Sequence, residues 1–229
     1  MAIIPSIFTF LNMFSGFLSI YFSFTGNFDY SAYLIMLASI FDMIDGRLAR
    51  ALKITSEIGK HLDSFSDFTT FGITPAMFFI NLLKDKINIY VLIILGFIYV
   101  INATMRLSLY NINEAKKDEF SGMPSTFAGI STATIFGFNY IGSLITIVDF
   151  NIPYLIFIPV FIIYSFLMVS KIRYKKFGSV IFNFKTLRNI VFNILFISCL
   201  VLFFKYFMLI LVIFYTLSPF IGKKIYEIH

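Results

Sequence analysis

Tryptophan is absent from this chain of 229 residues, cysteine occurs once, histidine twice, and charged residues make up only 13% of it. A soluble domain carries about 25% charged residues. With 59% hydrophobic residues and a mean hydropathy of +0.89, an ordinary water-soluble domain is excluded. The lone Cys199 sits in an apolar run, so it cannot form an internal disulfide and carries no information on redox compartment. The missing tryptophan, set against 32 phenylalanines, reflects base composition and is given no functional weight. No basic segment precedes the first apolar run and no small-residue cleavage pattern follows it, so it reads as a retained span and not as a signal peptide. Internal repeats and low-complexity tracts are lacking too.

What is present is a series of apolar runs separated by polar punctuation. A hydrocarbon core needs about 20 apolar residues per helix. The runs predict an all-α, polytopic membrane bundle of about eight transmembrane helices, near 4–24, 30–50, 60–83, 87–111, 125–147, 153–172, 186–204 and 206–222. Only Lys205 and Tyr206 separate the last two, and a single tilted helix over 186–222 is the competing parse. The length leaves room for one membrane domain, 1–229, and no sizeable soluble one.

A net charge of +6 could suggest nucleic acid, but basic residues of membrane proteins gather in cytoplasmic loops. We expect no nucleic-acid partner. Arg47, Arg50, Lys53, Lys60, Lys116, Lys117, Lys171, Arg173, Lys175, Lys176, Lys185, Arg188, Lys223 and Lys224 fall on one side of the predicted spans. Lys84, Lys86 and Lys205 fall on the other, and Arg106 lies inside a span. The asymmetry predicts a multi-pass protein of the cytoplasmic membrane, with both termini and the segments 50–60, 112–124 and 171–188 in the cytoplasm.

The informative stretch runs from Asp42 to Asp67. Asp42 and Asp45 are three apart at the end of the second predicted span, and Asp63 and Asp67 four apart at the start of the third, so each pair shares a helix face. The short basic connection predicts that these two helices are antiparallel neighbours and that four carboxylates converge near the cytoplasmic surface. One Asp near a helix end is usually a cap or a solvated group. Four on two facing stripes require another account, because a single ionised Asp at membrane depth costs about 2.5–3.5 kcal/mol and neighbouring carboxylates repel. Bound cations would offset both terms. An all-oxygen donor set favours Mg²⁺ or Mn²⁺ over zinc. Gly46 and Ala49 remove bulk beside the carboxylates, and Arg50 supplies a fork suited to a phosphate oxygen, so the combination points to a pyrophosphate ligand.

Residues 42–67 read DxxDGxxAR, eight residues, GxxxDxxxD without a departure. The string resembles the signature of the CDP-alcohol phosphotransferases. Three flanking segments look like the branch that transfers a phosphatidyl group from CDP-diacylglycerol to serine. They are Ile4-Pro5-Ser6 through Thr9 and Asn12 to Gly16, Phe71-Gly72-Ile-Thr-Pro75-Ala76, and Arg106 to Asn111 with Phe120-Ser-Gly122-Met-Pro124-Ser125. The likeness covers roughly residues 4–135, the expected catalytic core, with 136–229 matching only in being hydrophobic. Ser6 stands where the family often has Asn, and His61 where this branch usually has an acid.

The resemblance implies that Asp42 and Asp63 contact two metal ions, Asp45 one of them, and Asp67 the other while also acting as general base. It implies a CDP-lipid site at Ser6, Thr9, Gly46, Ala49, Arg50, Ser56 and Gly59. It further implies a homodimer, with CDP-diacylglycerol, L-serine and membrane lipids as partners. Arg106 is the candidate for the serine carboxylate, with Asn102 and Asn111 completing a polar lining. Rival acceptors are glycerol 3-phosphate and inositol phosphate, and an archaeal ether lipid is the rival donor. A cation transporter is the remote alternative, although its acids would be expected at mid-membrane on two repeated halves.

Overall fold

The computed structural model describes residues 3–52, 56–113, 119–141, 152–175 and 202–226. Among them the fold is a helical bundle. Its helices are α1 (Ile3–Phe24), α2 (Phe28–Ala51), α3 (Glu57–Asp67), α4 (Thr74–Leu83), α5 (Ile89–Asn113), α6 (Ser125–Gly137), α7 (Tyr154–Val169) and α8 (Phe204–Tyr226). A π-helical turn, Phe68–Ile73, joins α3 to α4. The departure from an all-helical reading is small: β1 (Glu119–Ser121) pairs antiparallel with β2 (Arg173–Lys175). Proline marks helix starts, at Pro5 in α1, Pro75 in α4, and Pro124 and Pro153 just before α6 and α7, where a missing N–H leaves no bond unmade.

The predicted spans match these elements with three differences. The span over 60–83 is not one regular helix, because the π turn interrupts it directly after Asp67. The 125–147 span ends its described helix at Gly137, its remainder from residue 142 lying outside the described residues. The 186–204 span falls almost wholly outside them, while Phe203 is a turn and α8 begins afresh at Phe204.

Pro5–Phe24 and Ile89–Ile112 are long and apolar enough to cross a membrane, and two-thirds of each faces outward. Ile7, Phe10, Phe14, Phe17, Tyr21 and Phe24 line the outer face of α1, all about half exposed. Its inner face is polar instead: Thr9, Asn12, Ser15, Ser19 and Ser23 are buried. An apolar outer face on a helix whose inner face is polar suits lipid as solvent and would aggregate in water. The protein is therefore membrane-associated. α2 is long enough but carries acids and arginines, and α3, at 11 residues, is too short to span by itself.

The inner face of α1 determines the packing. Ser66 Oγ donates to the Thr9 carbonyl (3.0 Å), Thr70 Oγ1 to that of Asn12 (3.1 Å) and Thr74 Oγ1 to that of Gly16 (3.2 Å). Both series ascend together, so α1 and the 57–83 segment run parallel. Four residues overshoot a full α-turn, and the wider π turn brings the three hydroxyls back onto one line. Gly16 makes the approach possible, since a Cβ there would fall 2.5 Å from Thr70 Oγ1 and 2.9 Å from Thr70 Cα. α2 packs antiparallel on another face of α1, through Ser19 and Ser31. This corrects the expectation that α2 and α3 are neighbours: α1 is the helix both pack on, and they scarcely touch each other. α6 fills the centre, buried through nearly all of its length.

Two ends of the bundle are distinguishable. At one, β1 and β2 pair, Gly122 N–H donates to the Ile172 carbonyl (2.9 Å), and Asn111 reaches Ser64 (2.9 Å). Gly122 adopts φ +81°, and a side chain there would strike the Met168 carbonyl. At the other end, Asn139 bonds the backbone of Ile152, Lys86 covers Tyr154 and Lys205 covers Phe138.

Candidate active site

The carboxylates lie at the end that bears β1 and β2. α2 carries Asp42 and Asp45 in its last three turns, and α3 carries Asp63 and Asp67 on one face. Asp42, Asp63 and Asp67 each bring one carboxylate oxygen within 4.8 Å of the other two. All three are partly buried. Asp45, one turn further along α2, stands beside this trio, almost wholly buried, and accepts a hydrogen bond from Thr9 Oγ1 (2.9 Å). Two other donors come from helices that carry no acid. Asn12 Nδ2 donates to Asp67 Oδ1 (3.3 Å) from α1, and Thr126 Oγ1 to Asp42 Oδ2 (3.3 Å) from α6.

Sequence reasoning did not assign Asn12 or Thr126 to the site. For Asn12 a signal existed, because it follows Thr9 by three residues and so shares its helix face. Thr126 carried no signal, since only the packing of α6 against α2 brings it to Asp42.

The remaining site candidates divide by what holds them. Ser6 is half-buried on the first turn of α1. Arg50 is exposed at the end of α2 and lies across Gly46, where a Cβ would sit 3.5 Å from its Nη1, an ordinary contact. Protein packing alone does not demand glycine there. Ala49 is partly exposed beside it. Ser56 caps α3, accepting the N–H of Gly59 at 3.0 Å, so both have a local structural role. His61 is exposed and is not among the clustered groups.

Arg106 is 7% exposed, the one buried basic side chain among the described residues, and lies over the Tyr110 ring at 4.9 Å. Asn102, one turn away on the same buried face of α5, donates to Ser165 Oγ of α7 (2.8 Å). Asn111 is exposed, and its amide is the one tied to Ser64. The structure thus groups Asp42, Asp63 and Asp67, sets Asp45 and Thr9 alongside, and engages both asparagines of the predicted acceptor lining in ties between helices.

The donor set fits a hard cation. It consists of carboxylate oxygens only, from two helices held at a fixed spacing by α1, with no thiolate or imidazole among them.

Residues 2–152 match the sequence profile of a family described as CDP-alcohol phosphatidyltransferase. The chain is similar to the CDP-diacylglycerol–serine O-phosphatidyltransferase of Bacillus subtilis, with 33% identity over 178 residues, 76% of this chain and 90% of the relative. It is similar to the enzyme of the same name from Helicobacter pylori, with 28% identity covering 79% and 75% of the two chains. An archaetidylserine synthase of Methanothermobacter thermautotrophicus shares 32% identity over 58% of this chain and 57% of its own.

Proposed function

Because the chain belongs to the CDP-alcohol phosphatidyltransferase family, we propose that it transfers the phosphatidyl group of CDP-diacylglycerol to the hydroxyl of L-serine, giving phosphatidylserine and CMP. The observation that carries this reading is the meeting of Asp42, Asp63 and Asp67 within 4.8 Å in a chain whose similar relatives bear that enzyme's name. It is an enzyme of phospholipid biosynthesis.

In this reading Asp42, Asp63 and Asp67 would hold a divalent ion, Mg²⁺ or Mn²⁺, with Asp45 supplying a further carboxylate for a second one. Such ions, when bound, neutralise the negative charge of the pyrophosphate and of the departing CMP. Asp67 accepts the proton of the serine hydroxyl as its oxygen attacks the phosphatidyl phosphorus and the bond from that phosphorus to CMP breaks. Arg50 holds a phosphate oxygen, and Gly46 lets the nucleotide-lipid approach the backbone of α2. Ser6, Thr9, Ala49, Ser56 and Gly59 complete the rim on which the CDP-lipid rests.

Arg106 pairs with the serine carboxylate, supported by its burial on α5. Asn102 and Asn111 extend the polar lining. Acceptors that carry a phosphate in addition would call for more cations than this one buried arginine.

The helices cross the cytoplasmic membrane about eight times, with the acid end and both termini toward the cytoplasm. Support comes from the two ends of the bundle, since Lys60 and the β1–β2 segments share the acid end whereas Lys86 and Lys205 share the other. A homodimer belongs to this reading on family grounds.

The test is an acceptor panel. Purified protein with Mg²⁺ or Mn²⁺ should release CMP from CDP-diacylglycerol only when L-serine is supplied, and a chelator should abolish release until the ion is restored. Release with glycerol 3-phosphate or inositol phosphate, and not with serine, would overturn the acceptor while leaving the reaction class. The relative named archaetidylserine synthase motivates an ether-linked donor as a parallel arm.

A further inference from the structure

We infer that Asn12 is a positioning residue, whose side-chain amide fixes the carboxylate of Asp67 in the orientation from which it takes the acceptor's proton. The inference rests on the role proposed above for Asp67.

Asn12 is completely buried in the inner face of α1. Its Nδ2 lies 3.3 Å from Asp67 Oδ1, while its own Oδ1 is buried without a hydrogen-bond partner. A buried carbonyl oxygen left without a partner is destabilising, and an apolar side chain of similar size would serve packing better. The amide is therefore not explained by the stability of α1. The opposite orientation of the amide would turn its carbonyl dipole against the carboxylate, so electrostatics assigns the N–H group to Asp67.

The backbone around this pair is fixed independently. Ser66, the residue before Asp67, bonds the Thr9 carbonyl, and Thr70 bonds the carbonyl of Asn12 itself. Asn12 and Asp67 are thus held in register by bonds that involve neither of their side chains. With one oxygen engaged by an N–H donor, the carboxylate cannot turn freely, and its second oxygen is presented in a defined direction. A separation of 3.3 Å is loose for a bond to a charged group, and such bonds tighten when substrate fills the site.

Steady-state kinetics on Asn12→Leu and Asn12→Asp test this, with Thr74→Val as a control that loosens the same contact with α1 one turn beyond the pair. The first variant removes the donor at similar volume, and the second keeps the shape but replaces the donor with a carboxylate that repels Asp67. A hydrogen bond to a charged group is worth a factor of roughly 10–100, so kcat should fall by that much in both variants. KM for serine and for CDP-diacylglycerol should stay within about twofold of the parent, as should the protection against thermal unfolding given by CDP-diacylglycerol. Thr74→Val should keep its kcat within about threefold. Near-parental kcat in both Asn12 variants would overturn the inference, as would losses that merely follow weakened lipid binding and lowered melting temperature. Asp67→Asn, assayed in parallel, separates the two levels. Normal Asn12 variants beside an inactive Asp67→Asn refute only the role of Asn12, whereas an active Asp67→Asn removes the base and this inference with it.

Discussion

The helices that build the acid end also carry a second buried polar group at the opposite end, and the two differ in how they are satisfied. There, Ser19 and Ser31 bond each other's hydroxyl and carbonyl at 2.8–3.0 Å between α1 and α2, and Asn81 of α4 donates to Ser23 Oγ at 3.0 Å. Every partner in that cluster is a neutral protein group. At the acid end, by contrast, three carboxylates crowd within 4.8 Å, with Asn12 donating to Asp67, Thr126 to Asp42, and the buried Arg106 in electrostatic range of both. One cluster is complete within the fold. The other gathers three like charges against a single buried cation, Arg106, and that excess is the mark of a site shaped for a ligand and not for stability.

This contrast can be broken by mutation. The largest effect is expected for Asp67→Asn, which should lower turnover roughly 10³-fold or more while the protein still binds CDP-diacylglycerol. Near-normal CMP release from that variant would erase the distinction between the two ends. Next, Arg106→Met should raise the KM for serine by roughly 10–100-fold, the value of charge-assisted bonds to a carboxylate, with a smaller change in kcat. An unchanged KM would return Arg106 to a packing role.

Gly46→Ala sharpens the contrast. The fold has room for the methyl group, so the melting temperature should hold, yet the KM for CDP-diacylglycerol should rise by roughly 5–20-fold if the ligand needs that space. The smallest change is expected at the opposite end. Asn81→Leu should cost only about 0.6–1.7 kcal/mol of stability, read as a lowered melting temperature, with kcat per folded molecule unaltered. A selective loss of catalysis there would mean that the two clusters are not independent.

How much of this was legible beforehand depends on the range of the interaction. Helix positions followed from runs of apolar residues, and the pairing of Asp42 with Asp45 and of Asp63 with Asp67 from spacing along a single helix. The π turn after Asp67 left no readable sign, because the residues Phe68–Ile73 are apolar or small and would suit a regular helix equally well. Nor could the sequence separate Asp45 from the trio, since its distance depends on how far α2 leans on α1. The neighbour relation of α2 and α3 was misread because chain proximity stood in for packing, and the close contact at Gly16 with the hydroxyl series of Ser66, Thr70 and Thr74 gives that place to α1.

By itself, the sequence determined that the chain is a helical protein of the membrane and that its acids come in two pairs on successive helices. Those properties are local, set by the solvation of each residue and by the 3.6-residue repeat. Only the tertiary structure decided which acids meet, and that α1 and α6, which bear no charge at the site, supply the side chains that hold them. Such contacts join residues that a period within one helix cannot relate, and in a bilayer they depend on where small residues let two backbones approach.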